Sequence, residues 1–333
     1  MITVRPILFV LLLLIAIAAQ AGNPPTYRIG VASWVGWAFI HVAQEQGFFK
    51  EAGLNMEVKW YAEPAEIERA FQKGEIQFRL DFVASVVEAY MNDHNVTLLA
   101  ETNWSHGGDK IIAKKDFRMK DHKGESIAIY RDSQALVYFL NKYLNKENLR
   151  LSDFKIRNMP IEKLINSFVN DEIKFAVIFD PYTIEVVKDG NGTVRANSAQ
   201  YPGCMPEGIY AKTDFLQSMP REDLLAIIGA CVKGSTWMDD KNNWDELLTI
   251  LNENVFPDHE PFEDNQLAAM LGYVKVHNAK TLKHRNKKGG GLTKYILEIK
   301  KNIYRSKRAS GSFDIDEMFD ASVLLEVLEK SDS

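Results

Sequence analysis

Cysteine is scarce in this sequence. The 333 residues include only Cys204 and Cys231, which lie 27 positions apart and do not have the spacing of a metal site. This scarcity excludes a disulfide-rich scaffold and a Cys-x-x-Cys redox centre. The two thiols are compatible with one disulfide in an oxidising compartment or with two separate buried cysteines, and the sequence leaves both open.

Motifs typical of catalysis and of nucleic-acid binding are also lacking. The chain contains no G-x-S-x-G, H-E-x-x-H or Walker sequence, and no predicted strand precedes the glycines at Gly289–Gly291. The formal net charge is −5 and the pI is about 5.9, without the basic excess of a nucleic-acid-binding domain. We therefore expect no catalysis, no cofactor, no metal and no nucleic-acid partner.

The first 21 residues have the pattern of a cleavable secretory signal. Arg5 is followed by an apolar run from Ile7 to Ala19 and by an A-x-A site at residues 19–21. The run is shorter than the roughly 20 residues of a membrane span, so an uncleaved anchor is the less favoured alternative. We expect export and a mature chain that begins at Gly22.

Apolar alternation indicates a first α/β unit near the N-terminus. Hydrophobic residues make up 46% of the chain, which is enough for about two domains with cores of their own. Strands are predicted at Tyr27–Val31, Asn55–Tyr61, Ile76–Leu80 and Val96–Glu101, and helices alternate with them. This order favours parallel strands covered by helices.

The pattern restarts near Lys110 and later becomes helical. Strands are predicted at Lys110–Ala113, Ser126–Tyr130, Phe154–Asn158, Phe175–Phe179 and Ile209–Lys212. Beyond Pro220, helices are predicted at Arg221–Met238, Trp244–Asn254, Phe262–Val276 and Asp316–Leu328. The predicted fold class is α/β with two lobes, parallel-rich sheets flanked by helices, and a helical C-terminal part.

Two crossings between the units predict a hinge. The second unit is read as an insertion, so that residues 22–109 and 206–333 form lobe I and residues 110–205 form lobe II. The crossings are expected near residues 106–110 and 204–209. Ligands bind at the carboxyl ends of parallel strands, and two lobes joined by such crossings close around a ligand.

Five segments resemble one known family when taken in order. They are QEQGFFKEAGLNMEV at Gln44–Val58, AFQKGEIQF at Ala70–Phe78, DHKGESIAI at Asp121–Ile129, KFAVIFDPY at Lys174–Tyr182 and FDASVLLEVL at Phe319–Leu328. With the secretory signal, they resemble ABC-transporter solute-binding proteins of the nitrate/sulfonate/taurine and thiamine-precursor type. The resemblance implies a type II periplasmic binding protein fold, a small-molecule ligand, and ABC permease and ATPase subunits at the inner membrane as partners. We expect a monomer.

The chain departs from the family pattern in two places. Gln77-Phe78-Arg79 stands where the family usually has a small residue and an aspartate, and Asn286–Arg308 is unusually basic. The wider basic region, Lys283–Arg308, is compatible with a docking surface, although a solvated helical face is the more ordinary interpretation.

Candidate ligand-binding residues of the first unit follow its strands. Trp34 and Trp37 lie in the first strand-to-helix turn, where Trp34 is the better candidate for a cavity wall and Trp37 has core packing as its alternative. Asp81 and Ser85 open the helix after the third strand, and Asp81 has a helix-cap role as its alternative. Trp104 follows the fourth strand, near the first crossing.

Arg131, Asp132 and Ser133 follow a strand and open a helix of the second unit. The resemblance makes this the usual position for holding an anion, because a helix N-terminus offers free N–H donors and the positive end of its dipole. Helix capping by Asp132 or Ser133 is the alternative.

The last candidates, Asp180, Tyr182 and Glu207, lie at a strand end and at the second crossing. If Asp180 and Glu207 face the cleft, the pocket is acidic and aromatic, which suits a cationic ligand or an amino-bearing ring such as a pyrimidine. If Arg79 and Arg131 face it instead, an oxyanion fits. The sequence does not choose between them.

These observations predict the substrate-binding component of an ABC importer. It would capture a nitrate-, sulfonate- or taurine-like anion, or a pyrimidine- or amine-type compound, between its lobes and deliver it to a membrane permease. A periplasmic sensor for a membrane signalling receptor is the alternative. An enzyme on the same fold is less favoured.

Overall fold

The structure, a computed structural model, describes residues 25–331. The predicted signal peptide at residues 1–21 lies outside the described residues. Within the described range, no helix combines the length and the apolar character that crossing a membrane requires.

Among the described residues, ten strands lie in the first two thirds of the chain, and one short strand follows in the last third. They are β1 (Thr26–Val31), β2 (Asn55–Trp60), β3 (Phe78–Phe82), β4 (Val96–Ser105), β5 (Asp109–Lys114), β6 (Ser126–Ile129), β7 (Lys155–Asn158), β8 (Phe175–Phe179), β9 (Gly192–Asn197), β10 (Pro206–Lys212) and β11 (Val274–Val276).

Helices alternate with these strands and then dominate the C-terminal part. They are α1 (Ala38–Glu45), α2 (Phe48–Glu51), α3 (Pro64–Gln72), α4 (Val83–Met91), α5 (Gln134–Lys146), α6 (Ile161–Val169), α7 (Thr183–Lys188), α8 (Thr213–Ser218), α9 (Arg221–Asp239), α10 (Trp244–Ile250), α11 (Asp264–Gly272), α12 (Ala279–Asn286), α13 (Gly291–Ser306), α14 (Ile315–Met318) and α15 (Ser322–Ser331).

The first sheet has the strand order β11-β4-β10-β3-β1-β2. β1 is parallel to both β2 and β3. β10 is antiparallel to β3 and to β4, so the first four strands still run in one direction, as their alternation with helices predicts. As a consequence, Glu207 at the start of β10 lies opposite Phe82 at the end of β3 and opposite Asn103 near the end of β4.

The second sheet has the strand order β7-β6-β8-β5-β9. β6 is parallel to β7 and β8, whereas β5 is antiparallel to β8 and β9. Both sheets are therefore mixed: β10 and β11 run against the other four strands of the first sheet, and β5 runs against the other four of the second. The predicted α/β fold class, with helices on the sheets and a helical C-terminal part, is confirmed.

Two glycines end the two helices that connect β1 to β2. Gly47, with φ of 72°, follows α1, and Gly53, with φ of 78°, follows α2. Both adopt the left-handed backbone conformation that costs other residues strain, so each can end a helix abruptly. The segment GFFKEAGL thus turns the chain back, and β2 pairs with β1 in parallel.

The C-terminal helices pack mainly on the first sheet and its helices. α9 lies against α1, where a Cβ atom on Gly234 would come within 2.3 Å of the Phe39 carbonyl oxygen. α13 contacts α4 of the first unit, and Tyr295 on α13 also meets the ring of Tyr138 on α5 at 6.2 Å. α13 therefore touches helices associated with both sheets.

Several C-terminal predictions were wrong in detail. The helix predicted at Phe262–Val276 is α11 followed by the edge strand β11. The helix predicted at Asp316–Leu328 is interrupted between α14 and α15, where Phe319 forms a bridge with Leu98.

Cys204 and Cys231 are both buried and are not bonded to each other.

Candidate functional site

A cavity of about 40 Å³ lies where strand ends of the two sheets meet. The first sheet supplies the turn after β1, the end of β3 and the start of β10, and the second supplies the start of β5, the segment after β6 and the end of β8. The charged and aromatic residues that line it are Trp34, Trp37, Arg79, Asp81, Phe82, Asp109, Tyr130, Arg131, Phe179 and Glu207.

One carboxylate oxygen of Glu207 accepts three hydrogen bonds. Trp34 Nε1 donates to Oε2 at 2.9 Å, Trp37 Nε1 at 2.7 Å and Asn103 Nδ2 at 2.7 Å. Burial raises the pKa of Glu207 to about 8, even though these three donors lower it. The carboxyl group therefore changes its charge near neutral pH.

Two glycines make room for the Trp34 indole. A Cβ atom on Gly36 would lie 2.3 Å from Trp34 Nε1, and one on Gly108 would lie 2.2 Å from Trp34 Cη2. Side-chain atoms do not approach so closely, so any larger residue would displace the ring. The turn between β1 and α1 thus places both tryptophan N–H groups on the same acceptor.

Asp81 joins two arginines, one from each sheet. Arg131, after β6, holds it with a forked contact in which Nη1 donates to Oδ2 at 3.0 Å and Nη2 donates to Oδ1. Arg79, two residues before Asp81 on β3, donates from Nη2 to Oδ2 at 2.5 Å. Burial raises the pKa of Asp81, but the two guanidinium groups outweigh it and hold the pKa below its usual range.

Both arginines of the cavity are paired with carboxylates through their terminal nitrogens, while the Nε of each is buried without a hydrogen-bond partner among residues 25–331. Arg79 also pairs with Glu68 through Nη1, and Arg131 lies with its guanidinium 5.1 Å from the centre of the Phe82 ring. Attraction to Asp81 raises the pKa of Arg131, although burial lowers it. The positive charges at the cavity are therefore already neutralised by neighbouring carboxylates.

Asp109 is a buried carboxylate with an unused acceptor. Its side chain lines the cavity, and its Oδ1 has no hydrogen-bond partner among residues 25–331. Burial raises the pKa of Asp109 to about 6, although nearby Ser105 and Arg131 lower it. A buried oxygen without a partner costs free energy, and a ligand that donates a hydrogen bond would remove that cost.

Aromatic rings complete the walls of the cavity. The ring of Phe179, at the end of β8, lies 5.9 Å from Trp34 and 4.8 Å from Tyr130, centre to centre. The wall thus combines rings from both sheets, which suits a flat or cationic solute. No group of three or more His, Cys, Asp or Glu suited to a metal ion occurs in the described part of the chain.

The sequence model of a family described as "NMT1/THI5 like" matches residues 34–241, which is more than half of the chain. The chain belongs to this family. The predicted resemblance is thereby confirmed. No curated protein sequence matches the chain significantly.

Solved structures of solute-binding proteins share the fold of this NMT1/THI5-like chain. The ligand-binding component of an ABC-type import system from Staphylococcus aureus, with zinc bound, is 12% identical with a TM-score of 0.70, over 91% of this chain and 98% of that chain. The periplasmic nitrate-binding protein NrtA from Synechocystis PCC 6803 is 14% identical with a TM-score of 0.73, over 93% and 90%. The periplasmic aliphatic sulphonate binding protein SsuA from Escherichia coli is 12% identical with a TM-score of 0.67, over 89% and 97%. At these identities the likeness shows the fold alone.

Five of the residues predicted from the sequence line the cavity of this NMT1/THI5-like protein. They are Trp34, Trp37, Asp81, Arg131 and Glu207. Asp81 is not the helix cap that was its alternative role, since the cap residue of α4 is Phe82. That these residues contact a ligand stays a prediction.

Three further candidates, Ser85 on α4 and Asp132 and Ser133 just before α5, do not line the cavity. Ser133 caps α5 by accepting a hydrogen bond from the Ala135 backbone N–H, and its hydroxyl lies 3.0 Å from that of Ser85. Asp132 points towards Arg308 and pairs with it at 2.8 Å. The capping alternative is therefore the one that the structure shows for Ser133.

The remaining candidates do not line the cavity, and each contacts other residues instead. Asp180 is paired with Lys110 and accepts a hydrogen bond from Thr183. The ring of Tyr182 packs edge-on against the ring of Phe179, with their centres 5.2 Å apart, and does not line the cavity. Trp104 packs edge-on against His277 at 4.8 Å, away from the cavity.

Sequence reasoning missed four charged or aromatic lining residues of the cavity. They are Phe82, Asp109, Tyr130 and Phe179. Arg79, which the sequence offered only as an alternative cleft residue for an oxyanion, lines the cavity as well. Asp109 had a signal, since it marks the first crossing. Phe82, Tyr130 and Phe179 are ordinary strand-end aromatics, and no local pattern separates them from core residues.

Proposed function

We propose that this NMT1/THI5-like protein is the exported, substrate-binding component of an ABC importer and that it acts by binding alone. Its family and its structural neighbours support this, since the neighbours named above bind solutes for import or bind nitrate or sulphonate. The ligand-loaded protein would dock on a permease and its ATPase at the inner membrane.

For the ligand, we infer an organic amine or an amino-bearing ring rather than an oxyanion. The observation that carries this inference is the pairing of the charges. Arg131 and Arg79 are both held by Asp81, whereas Asp109 Oδ1 is buried and has no partner among the described residues. An oxyanion would meet two arginines whose charges are already paired with carboxylates and whose only unpaired donor is Nε–H, whereas an N–H donor would meet the unpaired, negatively charged acceptor of Asp109.

The two perturbed carboxyl groups favour the same ligand class. Asp109 and Glu207 line the same cavity, with pKa values raised by burial to about 6 and about 8. A cationic donor would stabilise their ionised forms, because an opposite charge within a few ångströms favours ionisation. The rings of Trp34, Tyr130 and Phe179 would enclose its apolar part.

Capture requires the cavity to open. At about 10–15 Å³ for each water molecule, a cavity of about 40 Å³ holds about three. An organic solute needs more space than that. We propose that residues 22–109 with 206–333 and residues 110–205 move as two lobes, about crossings near 106–110 and 204–209. The Asp81–Arg131 pair would then separate on opening and re-form on closure.

Thermal unfolding in the presence of candidate solutes tests this function. The panel contains polyamines, aminopyrimidines and amino acids on one side, and nitrate, bicarbonate, taurine and alkanesulfonates on the other. Binding to the folded state raises the unfolding midpoint by mass action, so an amine or aminopyrimidine should raise it. Titration calorimetry on any hit then gives the affinity.

Two variants make the result specific to the cavity. Asp109→Asn removes the proposed acceptor charge and should weaken the amine hit at least tenfold. Asp189→Asn makes the same change at an exposed position and should leave it unaltered. A response to oxyanions only would overturn the ligand class, and no response in a folded protein would favour the sensor role.

A further inference from the structure

The segment Lys283–Arg308 concentrates positive charge in a chain that is otherwise acidic. It contains ten lysines and arginines and one acidic residue, Glu298, for a net charge of +9. The whole chain carries −5, so the rest carries −14. An asymmetry of this size over 26 residues creates a local positive field on a protein with a negative total charge.

Helix α13 presents part of this charge on one face. Lys294, Leu297, Lys301, Tyr304 and Arg305 are spaced i, i+3, i+7, i+10 and i+11, which puts them on one stripe of an α-helix, and all five are exposed. We call these five residues the basic stripe.

The opposite face of α13 holds the helix in place. Leu292, Ile296, Ile299 and Ile303 are fully buried in the core. The basic stripe is therefore fixed on a rigid helix, and it spans about 17 Å at 1.5 Å per residue.

The cations of the basic stripe are not used within the fold. Lys294, Lys301 and Arg305 form no ion pair with any residue between 25 and 331, whereas Arg308 on the same helix end pairs with Glu88 at 2.6 Å. The one acidic residue at the edge of the stripe, Glu298, is turned to the Tyr138 hydroxyl and to Lys142. The positive charge of the basic stripe is therefore available to a partner outside the chain.

Two large apolar side chains lie among these cations. Leu297 is 41% exposed and Tyr304 is 40% exposed, which places both among the most exposed large hydrophobic residues described. Exposed cations beside an exposed Leu and an exposed aromatic residue suit an anionic bilayer surface, because the cations are attracted to anionic headgroups and aromatic rings are favoured at the membrane–water interface. A specific protein–protein interface is instead depleted of lysine.

We propose that the basic stripe of α13 docks this protein on an anionic phospholipid surface. This role is additional to solute binding and does not involve the cavity. Negative charges elsewhere on the protein do not prevent it, because salt screens exposed charges beyond about 8–10 Å. The protein would then approach the membrane with α13 towards the lipid headgroups, and Leu297 and Tyr304 would enter the headgroup region.

Vesicle co-sedimentation of the exported protein tests the proposal. The full-length chain is expressed with export, and mass spectrometry of the recovered protein gives its N-terminus. Vesicles contain phosphatidylcholine alone or with roughly one-third phosphatidylglycerol, which gives a negative surface potential. We expect binding to the anionic vesicles only, and its loss when salt rises from about 0.1 M to about 1 M.

A triple variant, Lys294→Gln, Lys301→Gln and Arg305→Gln, should bind anionic vesicles about a hundredfold more weakly, since each cation contributes about fivefold. The matched control is Lys163→Gln, Lys188→Gln and Lys241→Gln, which removes equal charge from exposed positions elsewhere. It should bind like the wild type.

Three outcomes overturn the proposal. Equal loss in the two triple variants would show a general charge effect, and equal binding to both kinds of vesicle would show an apolar contact. Absence of binding to anionic vesicles would overturn it by itself. If cellular uptake of the solute identified by thermal unfolding were then lost in the stripe variant alone, the basic stripe would contact an acidic protein surface instead. Unaltered thermal unfolding of both variants ensures that folded proteins are compared.

Discussion

Arg131 forms an ion pair with Asp81 through two hydrogen bonds, across the boundary between the two sheets. Asp81 is the fourth residue of β3 and Arg131 follows β6, and Nη1 lies 3.0 Å from Oδ2 while Nη2 donates to Oδ1. Asp81 is only 2% exposed, whereas 21% of the Arg131 side chain is exposed. The pair therefore both aligns two strand ends and withdraws the Arg131 charge from any ligand in the cavity.

Removing the Asp81 charge should destabilise the protein strongly. Asp81→Asn leaves the buried Arg79 and the partly buried Arg131 with one charge partner fewer, and breaking a buried pair costs about 3–5 kcal/mol. Denaturant unfolding measures the loss. In the double variant Asp81→Asn, Arg131→Met, the loss in unfolding free energy should be smaller than the sum of the two single losses by at least about 1 kcal/mol.

An exposed ion pair provides the control for this experiment. Arg118 and Asp121 are 2.8 Å apart, with side chains 82% and 52% exposed. Asp121→Asn should change the unfolding free energy by less than about 0.5 kcal/mol, because solvent and salt screen such pairs. A similar small effect of Asp81→Asn would show that the Asp81 site is open to water.

The carboxyl group of Glu207 should make the stability of the protein depend on pH. Its pKa of about 8 in the folded state lies above the ordinary value of 4.5, so the folded state binds the extra proton between these values. Stability contributed by the protonated group is complete below pH 4.5 and is lost as the pH rises to about 8. The loss is on the order of 4–5 kcal/mol.

Glu207→Gln removes this titration while it keeps the shape of the side chain. The unfolding free energy of the variant, relative to the wild type, should therefore rise between about pH 5 and pH 8. Unfolding of both proteins at several pH values gives this difference. A constant difference would mean that Glu207 ionises at its ordinary pKa.

Strands whose apolar alternation is continuous could be predicted from the sequence. Tyr27–Val31 and Phe175–Phe179 were found because their side chains face cores. β9 and β11 were missed: β9 has only Val194 and Ala196 as apolar side chains, and β11 is three residues long and follows α11 without a break in polarity. The insertion of β10 between β3 and β4 is set by tertiary packing, which local patterns do not encode.

The candidate site could be predicted only in part, for a similar reason. Trp34 and Trp37 were found because their position before a helix at a strand end is a local feature. That both donate to Glu207, about 170 residues later, depends on the antiparallel return of β10. Asp180 has the same strand-end position as Asp81, but the neighbouring Lys110 captures its carboxylate, and local sequence does not reveal that pairing.

The sign of the pH dependence of binding should identify the ligand class. An amine that stays protonated to about pH 9 binds best when Asp109 and Glu207 are ionised, so its affinity should rise at least tenfold from about pH 6 to pH 8. An oxyanion would gain affinity in the opposite direction. Calorimetry at three pH values distinguishes them, and Glu207→Gln should flatten the upper part of the profile.

The close approach of Gly108 to Trp34 predicts that a single methyl group disrupts the cavity. The new Cβ atom of Gly108→Ala would lie 2.2 Å from Trp34 Cη2, so the indole must shift and its hydrogen bond to Glu207 must lengthen or break. We expect a loss of about 2–3 kcal/mol in unfolding free energy, the range for overpacked cores, with altered tryptophan fluorescence. Gly272→Ala is the control, because no atom lies within 4 Å of its Cβ position, and it should change stability by less than about 1 kcal/mol. If Gly108→Ala unfolds and binds its ligand like the wild type, the Trp34 ring is not confined by Gly108, and its placement on Glu207 must rest on Gly36 alone.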